Sequence, residues 1–174
     1  MTKLRASIAA FVTPLALATV LCSAGWAAAP SSVRANLEGL QVKPPVLTQG
    51  SGDFAANVDK DGQAFTYTLS YSGLGSIVTQ VHVRIGAEGT NGGVAVILCT
   101  NLDDGLDGTP ACPEDGGTID GTVDWSDVLD LPSQGIAAGD IDKVLKAVES
   151  GLAYVNVMSS WHPWGEIRGQ IGRR

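Results

Sequence analysis

The chain is short of histidine, cysteine and basic residues. Its 174 residues hold two histidines, three cysteines and 11 Lys and Arg against 18 Asp and Glu, for a formal net charge of −7. Each shortage excludes something. With only His82 and His162 available, a centre built on three imidazoles cannot form. The deficit of Lys and Arg removes the electrostatic footprint that nucleic acid or an anionic membrane surface requires. The Gly-rich "GAEGTNGG" lacks the Lys-Ser/Thr ending and the following helix of a phosphate loop. Over one long stretch, from Arg5 to Arg34, no Asp, Glu, Lys or Arg occurs at all.

That stretch is a targeting signal by its pattern. Lys3 and Arg5 supply a basic start, an Ala/Leu/Val-rich run covers Ile8 to Leu21, and Gly25-Trp26-Ala27 puts small residues where signal peptidase needs them. Residues 1–27 read as a secretory signal peptide and 28–32 as a short N-terminal segment ahead of one domain over 33–172. The competing reading is an uncleaved anchor, since the run is long enough to span a bilayer. Pro14, the Gly/Ala-rich end and the short basic start count against it. Cleavage removes two bases and no acid and leaves a more acidic chain at −9, with no membrane span. It also removes Cys22, so Cys99 and Cys112 are expected to form a disulfide in a secreted or periplasmic protein.

The rest is mostly strand. In "QAFTYTLSYSGL", Phe65, Tyr67, Leu69 and Tyr71 alternate with small or polar residues, the period-two pattern of a half-buried strand. In "IVTQVHVRIG", Ile77, Val81, Val83 and Ile85 fall largely on one face and Gln80, His82 and Arg84 on the other. Further strands fit "GGVAVILC", "GTIDGTVDW", "LAYVNVM" and "GEIRGQI", punctuated by Gly, Asn, Asp and Pro. Between Gly139 and Gly151 the apolar Ile141, Val144, Leu145 and Val148 switch to helical spacing behind Asp140. The pattern predicts an antiparallel, Greek-key-like β-sandwich with one short amphipathic helix near 140–150 lying across one end.

The residue-dense segment "SSWHPWGEIRGQI" reads as a reversal between the last two strands. His162-Pro163-Trp164-Gly165 has Pro and Gly where a type I turn uses them. Trp161, His162 and Trp164 either cover the end of the sandwich or form a contact patch, and covering is the expectation because aromatic rings bury so much area. If the strand bearing "VHVRIG" lies near the one bearing "GEIRGQI", then His82, Arg84, Glu166 and Arg168 share a polar face, with Glu166 as ion-pair partner to Arg84 or Arg168.

No catalytic constellation is complete. Ser159 and Ser160 lie close to His162 in sequence but not on a nucleophile elbow. The acidic loop offers Asp103, Asp104, Asp107 and Glu114 in a spacing close to a calcium loop. Gly105 lacks the third-position oxygen, Pro110 interrupts it and no helices flank it, so it is a weak Ca²⁺ candidate at most.

Taken together, "LEGLQVKPPVLTQGSGDF", "FTYTLSYSGL", "VHVRIGAEGTNGGVAVILC", "LAYVNV" and "HPWGEIRGQI", in this order and spacing over about Val33 to Ile171, resemble the CHRD family. The resemblance implies an extracellular β-sandwich module, often of unassigned biochemical role. It also implies a departure: family members commonly carry His-x-His where this chain has His82-Val83-Arg84, and a further histidine at Met158. A guanidinium stays protonated and only donates, so Arg84 stands where a metal ligand would. The expectation is a secreted, non-catalytic binding or structural module, with no cofactor and an extracellular protein or surface ligand as partner. The alternatives are a metal-dependent redox protein on a superoxide-dismutase-like sandwich, or a weak Ca²⁺-binding module.

Overall fold

The computed structural model describes residues 32–59 and 61–173; the expected signal peptide, 1–27, lies outside them. Nine strands follow in chain order: β1 Val33–Glu38, β2 Ser51–Val58, β3 Ala64–Ser72, β4 Val78–Ile85, β5 Gly93–Thr100, β6 Gly117–Asp124, β7 Ala153–Ser159, β8 Ile167–Gln170 and β9 Gly172–Arg173. The helix α1, Ile141–Glu149, separates β6 from β7.

Alternation forms the strands where the sequence shows it. In β3, Phe65, Tyr67, Leu69 and Tyr71 are buried, while Thr66, Thr68 and Ser72 face solvent. α1 buries the four apolar residues expected of it, Ile141, Val144, Leu145 and Val148. Asp140 caps by position only. Its carboxylate pairs with Lys143 at 2.6 Å instead of accepting from the first turn. Gly151 follows the helix with φ +69°, the left-handed conformation that ends helices.

Two expectations change. The sheet holds two strands beyond those expected, β1 and β2, and in β1 the buried Val33, Ala35 and Leu37 alternate with exposed Arg34, Asn36 and Glu38. In β4 the core position expected of Ile77 belongs to Val78, with Ile77 49% exposed. A register shift between Val78 and Gln80 lets the strand keep Val78, Val81, Val83 and Ile85 all inside.

The strands form one nearly closed antiparallel sheet in the order β5-β4-β7-β8-β1-β2-β3-β6, with β9 on β1. The hydrogen-bonded ladder is continuous, and its two ends face each other across a shared core. Tyr67 of β3 donates its hydroxyl proton to the Leu98 carbonyl of β5 at 3.0 Å. At the α1 end, Leu145 and Val148 meet Val33, Phe54, Phe65, Val83 and Ile171, drawn from both halves of the curl.

The β5–β6 connection spans the gap between the sheet's two edge strands. Its path is fixed at several points. Thr100 N–H donates to the Pro110 carbonyl at 2.9 Å, Val78 N–H to the Glu114 carbonyl at 3.0 Å, and the Tyr71 hydroxyl to the Pro113 carbonyl at 2.8 Å. The Asn101 amide donates to the carbonyls of Val78 (2.9 Å) and Cys112 (3.0 Å) and accepts from the Cys112 N–H at 2.9 Å. Cys99 and Cys112 are disulfide-bonded with Cα atoms 5.1 Å apart, which ties the connection to the C-terminal end of β5.

Reducing this bond, or replacing the pair as Cys99→Ser with Cys112→Ser, should lower stability by about 3 kcal/mol in the chain-entropy account. Denaturant midpoints with and without reductant measure it; identical midpoints would mean that the Asn101 clip alone holds the connection.

Candidate functional site

Because the strands run antiparallel, the connections leave the sheet at alternate ends. Residues 39–50, 73–77, 101–116 and 160–166 emerge opposite α1. Three of these connections meet at one side chain. Glu166, fully buried at 0% exposure, lies at the bend just before β8. Its Oε1 accepts from the Thr48 hydroxyl at 2.7 Å and from the Gly75 N–H at 2.6 Å, and its Oε2 accepts from the Ser159 hydroxyl at 2.5 Å. Burial pushes the carboxyl upward in pKa. The bonds from Ser159, Thr48 and Gly75, with the charge of His162, outweigh that and hold it below its ordinary value.

This corrects the ion-pair expectation. Glu166 precedes the first residue of β8, so it does not follow the strand's alternation, and its carboxylate turns to hydroxyls and an amide. Neither arginine lies within salt-bridge distance of it among the described residues. Arg168 does point to the outer face, where it is 2% exposed beneath the β4–β5 loop. It donates to the Thr90 carbonyl at 2.7 Å and the Ala87 carbonyl at 3.2 Å, with its guanidinium 3.5 Å over the Tyr154 ring. Arg84 donates to the Gly92 carbonyl at 2.9 Å. These two arginines brace the β4–β5 loop.

His82 sits two residues before Arg84 on β4, beside Asn156 of β7 and Ile97 of β5. It is 6% exposed, and both of its ring nitrogens are buried without a hydrogen-bond partner. Burial, then the Arg84 charge, pull its pKa from 6.5 to about 4, against a smaller opposing pull from Asp104. The folded state therefore binds fewer protons than the unfolded state between pH 6.5 and about 4, and stability falls as pH falls through that window. The loss should amount to about 3 kcal/mol. Urea unfolding at successive pH values should show this slope in the native protein and a much flatter one in His82→Leu; equal slopes would relocate the effect.

The turn bearing the tryptophans is anchored by its backbone. Gly165 N–H donates to the His162 carbonyl at 3.0 Å, Ser160 N–H to the Ile77 carbonyl at 3.0 Å, and Trp161 N–H to the Ser76 hydroxyl at 3.0 Å. Gly165 is required: its φ is +126°, and a Cβ there would come within 2.3 Å of the Asn156 side chain. The indoles themselves are not used for packing. Trp161 is 73% and Trp164 85% exposed, so the covering role expected of them is overturned. Leu47 at 91% and Ile77 at 49% stand in the neighbouring connections. Sequence reasoning missed Thr48 and Gly75, which nothing in their own neighbourhood marks; only the fold brings them to Glu166.

No other chemistry gathers here. Ser159 is wholly buried and donates its hydroxyl hydrogen to Glu166, and among the described residues the His162 ring bonds neither of them, so no histidine activates this serine. In the acidic loop the Asp104 carboxylate accepts from Gln80 (2.7 Å) and Thr100 (3.0 Å). Among the described residues no three His, Cys, Asp or Glu side chains converge to hold a metal ion.

Glu166→Ala should strand three donors in the interior and cost about 3 kcal/mol or more, whereas Ser159→Ala, which removes one of the three bonds to the buried charge, should cost about 2 kcal/mol. The Glu166 contribution is present above the unfolded carboxyl range near 4.5 and is lost as pH falls through the depressed folded value. Thermal unfolding of both variants at neutral and acid pH tests the ranking. A Glu166→Ala protein as stable as the native one would show that the three connections are held by something else.

No curated protein and no solved structure matches the chain. One family model does: the CHRD domain, over residues 33–171. The match takes in every described strand from β1 to β8 and all four connections at the end opposite α1, and on that extent the chain belongs to the CHRD domain family.

Proposed function

We propose that this is an exported, non-catalytic binding module whose contact surface is the end of the sheet opposite α1. Residues 1–27 serve as its export signal, and the two halves of the curled sheet act as the layers of a Greek-key-like sandwich that holds the contact loops. Membership of a family of extracellular domains and the disulfide both support export. No helix among the described residues is long and apolar enough to cross a membrane.

One observation carries the reading. Two indoles at 73% and 85% exposure sit on a turn whose backbone is pinned at both ends and undercut by a buried carboxylate. Exposed tryptophan forfeits burial that a core position would give it, and tryptophan is among the residues most concentrated at binding hot spots. A turn ordered before contact also loses little conformational entropy when a partner arrives. The fold spends a buried charge and three hydrogen bonds on positioning these rings, which plain chain reversal does not require.

The test separates contact from folding. The double variant Trp161→Ala with Trp164→Ala should unfold at the same denaturant midpoint as the native protein, since neither ring is packed. The native protein should be retained on the outer-surface fraction of the producing cells, and the variant should pass into the medium. Equal partition of the two would sink the proposal.

A further inference from the structure

The segments nearest the tryptophans carry no charged side chain, and the charged neighbours at this end are acidic: Glu38 beside Leu47 and the 101–116 connection. Residues 46–50, 73–77 and 160–165 contain no Asp, Glu, Lys or Arg. The fourth connection at this end, 101–116, carries Asp103, Asp104, Asp107, Glu114 and Asp115, all exposed, and no base. The asymmetry extends beyond the loop: from Ile85 to Asp142 there are twelve acids and not one Lys or Arg.

Backbone bonds set the two regions side by side. Trp161 N–H is bonded to Ser76 and Ser160 N–H to the Ile77 carbonyl; the next residues, Val78 and Thr79, bond to Glu114 and Asn101 of the acidic loop. The disulfide then holds that loop at the sheet edge. Asp104 is engaged by Gln80 and Thr100. Among the described residues the carboxylates of Asp103, Asp107, Glu114 and Asp115 accept no hydrogen bond, so the fold makes no use of their charge.

We infer that the partner seated on the tryptophan face is a basic polypeptide segment, whose Arg or Lys side chains lie over the indoles and against the acidic loop. The inference rests on the contact-face reading above. Charge complementarity selects the occupant. Aromatic faces attract guanidinium and ammonium groups, and more strongly once water is displaced. An uncompensated acidic flank steers cations toward the site and repels acidic surfaces, including anionic lipid and nucleic acid. An uncharged centre bordered by charge also has the arrangement of ordinary protein interfaces, with aromatic residues in the middle and polar residues at the rim.

A dye-labelled arginine–glycine repeat peptide, followed by fluorescence anisotropy, tests this with the mature protein. Expected are saturable binding that weakens as salt is raised, and a loss of about tenfold in affinity in either Trp161→Ala/Trp164→Ala or Asp103→Asn/Asp107→Asn/Glu114→Gln/Asp115→Asn. A glutamine–glycine peptide of equal length should not bind. If that peptide, phosphatidylcholine vesicles or dextran bind as tightly and depend on the indoles alone, the basic partner is wrong while the contact face stands. Arginine–glycine binding that survives loss of both indoles would place the basic segment elsewhere and sink this inference. No binding of the basic peptide overturns this inference, and the surface-retention measurement then decides the contact face separately.

Discussion

The end of the molecule opposite α1 depends on one buried carboxylate. Glu166 receives a hydroxyl from the β1–β2 connection, an amide from the β3–β4 connection and a hydroxyl from the end of β7. Two of the donors come from segments that the sheet alone leaves as loop, and the third, Ser159, from the last residue of β7. An ionised carboxylate in an apolar interior is costly, and three short bonds are what makes this one tolerable. The same bonds convert three separate loops into one platform. The tryptophan turn begins directly after Ser159 and ends directly before Glu166, so both of its ends belong to this joint.

Charge is handled in the same way elsewhere in the fold. Arg168 is as deeply buried as a core leucine, yet it has no carboxylate partner; carbonyl groups and the Tyr154 ring take that place. His82 meets burial by the opposite route and stays neutral. A buried ion pair between Glu166 and Arg84 or Arg168 would have had to repay two desolvation costs through one geometry. Separate hydrogen-bonded sites place each charge where it orders a loop: Glu166 the tryptophan end, Arg168 the β4–β5 loop.

Much of the sheet was legible because its residues obey local rules. The alternation in β3, the helical spacing of α1 and the Pro-Gly turn at 163–165 each reflect forces acting within a few residues. β1 carries the same signal, since Val33, Ala35 and Leu37 alternate cleanly. β2 does not: Gly52, Ala55 and Ala56 give little contrast between its faces, and the strand is held by neighbours on both sides. The site was the least readable part. Glu166 looked like a strand residue with a charged neighbour two positions on, and only the bend before β8 turns it inward. Thr48 and Gly75 lie 118 and 91 residues from it in sequence, and no local pattern encodes such a meeting.

The exposure of the tryptophans follows from how the sheet closes. A nearly closed sheet whose two halves face each other across a core leaves two open ends, and each needs a cover to keep water from the core. At one end α1 supplies it with Leu145 and Val148. At the other, the 101–116 connection spans the two edges, and Glu166 draws the remaining loops together beneath the surface. With the end sealed by disulfide, carboxylate and backbone bonds, no apolar lid is needed there. Trp161 and Trp164 are therefore free of the packing role that aromatic residues take by default, and their position on the outside of that end leaves both rings in solvent.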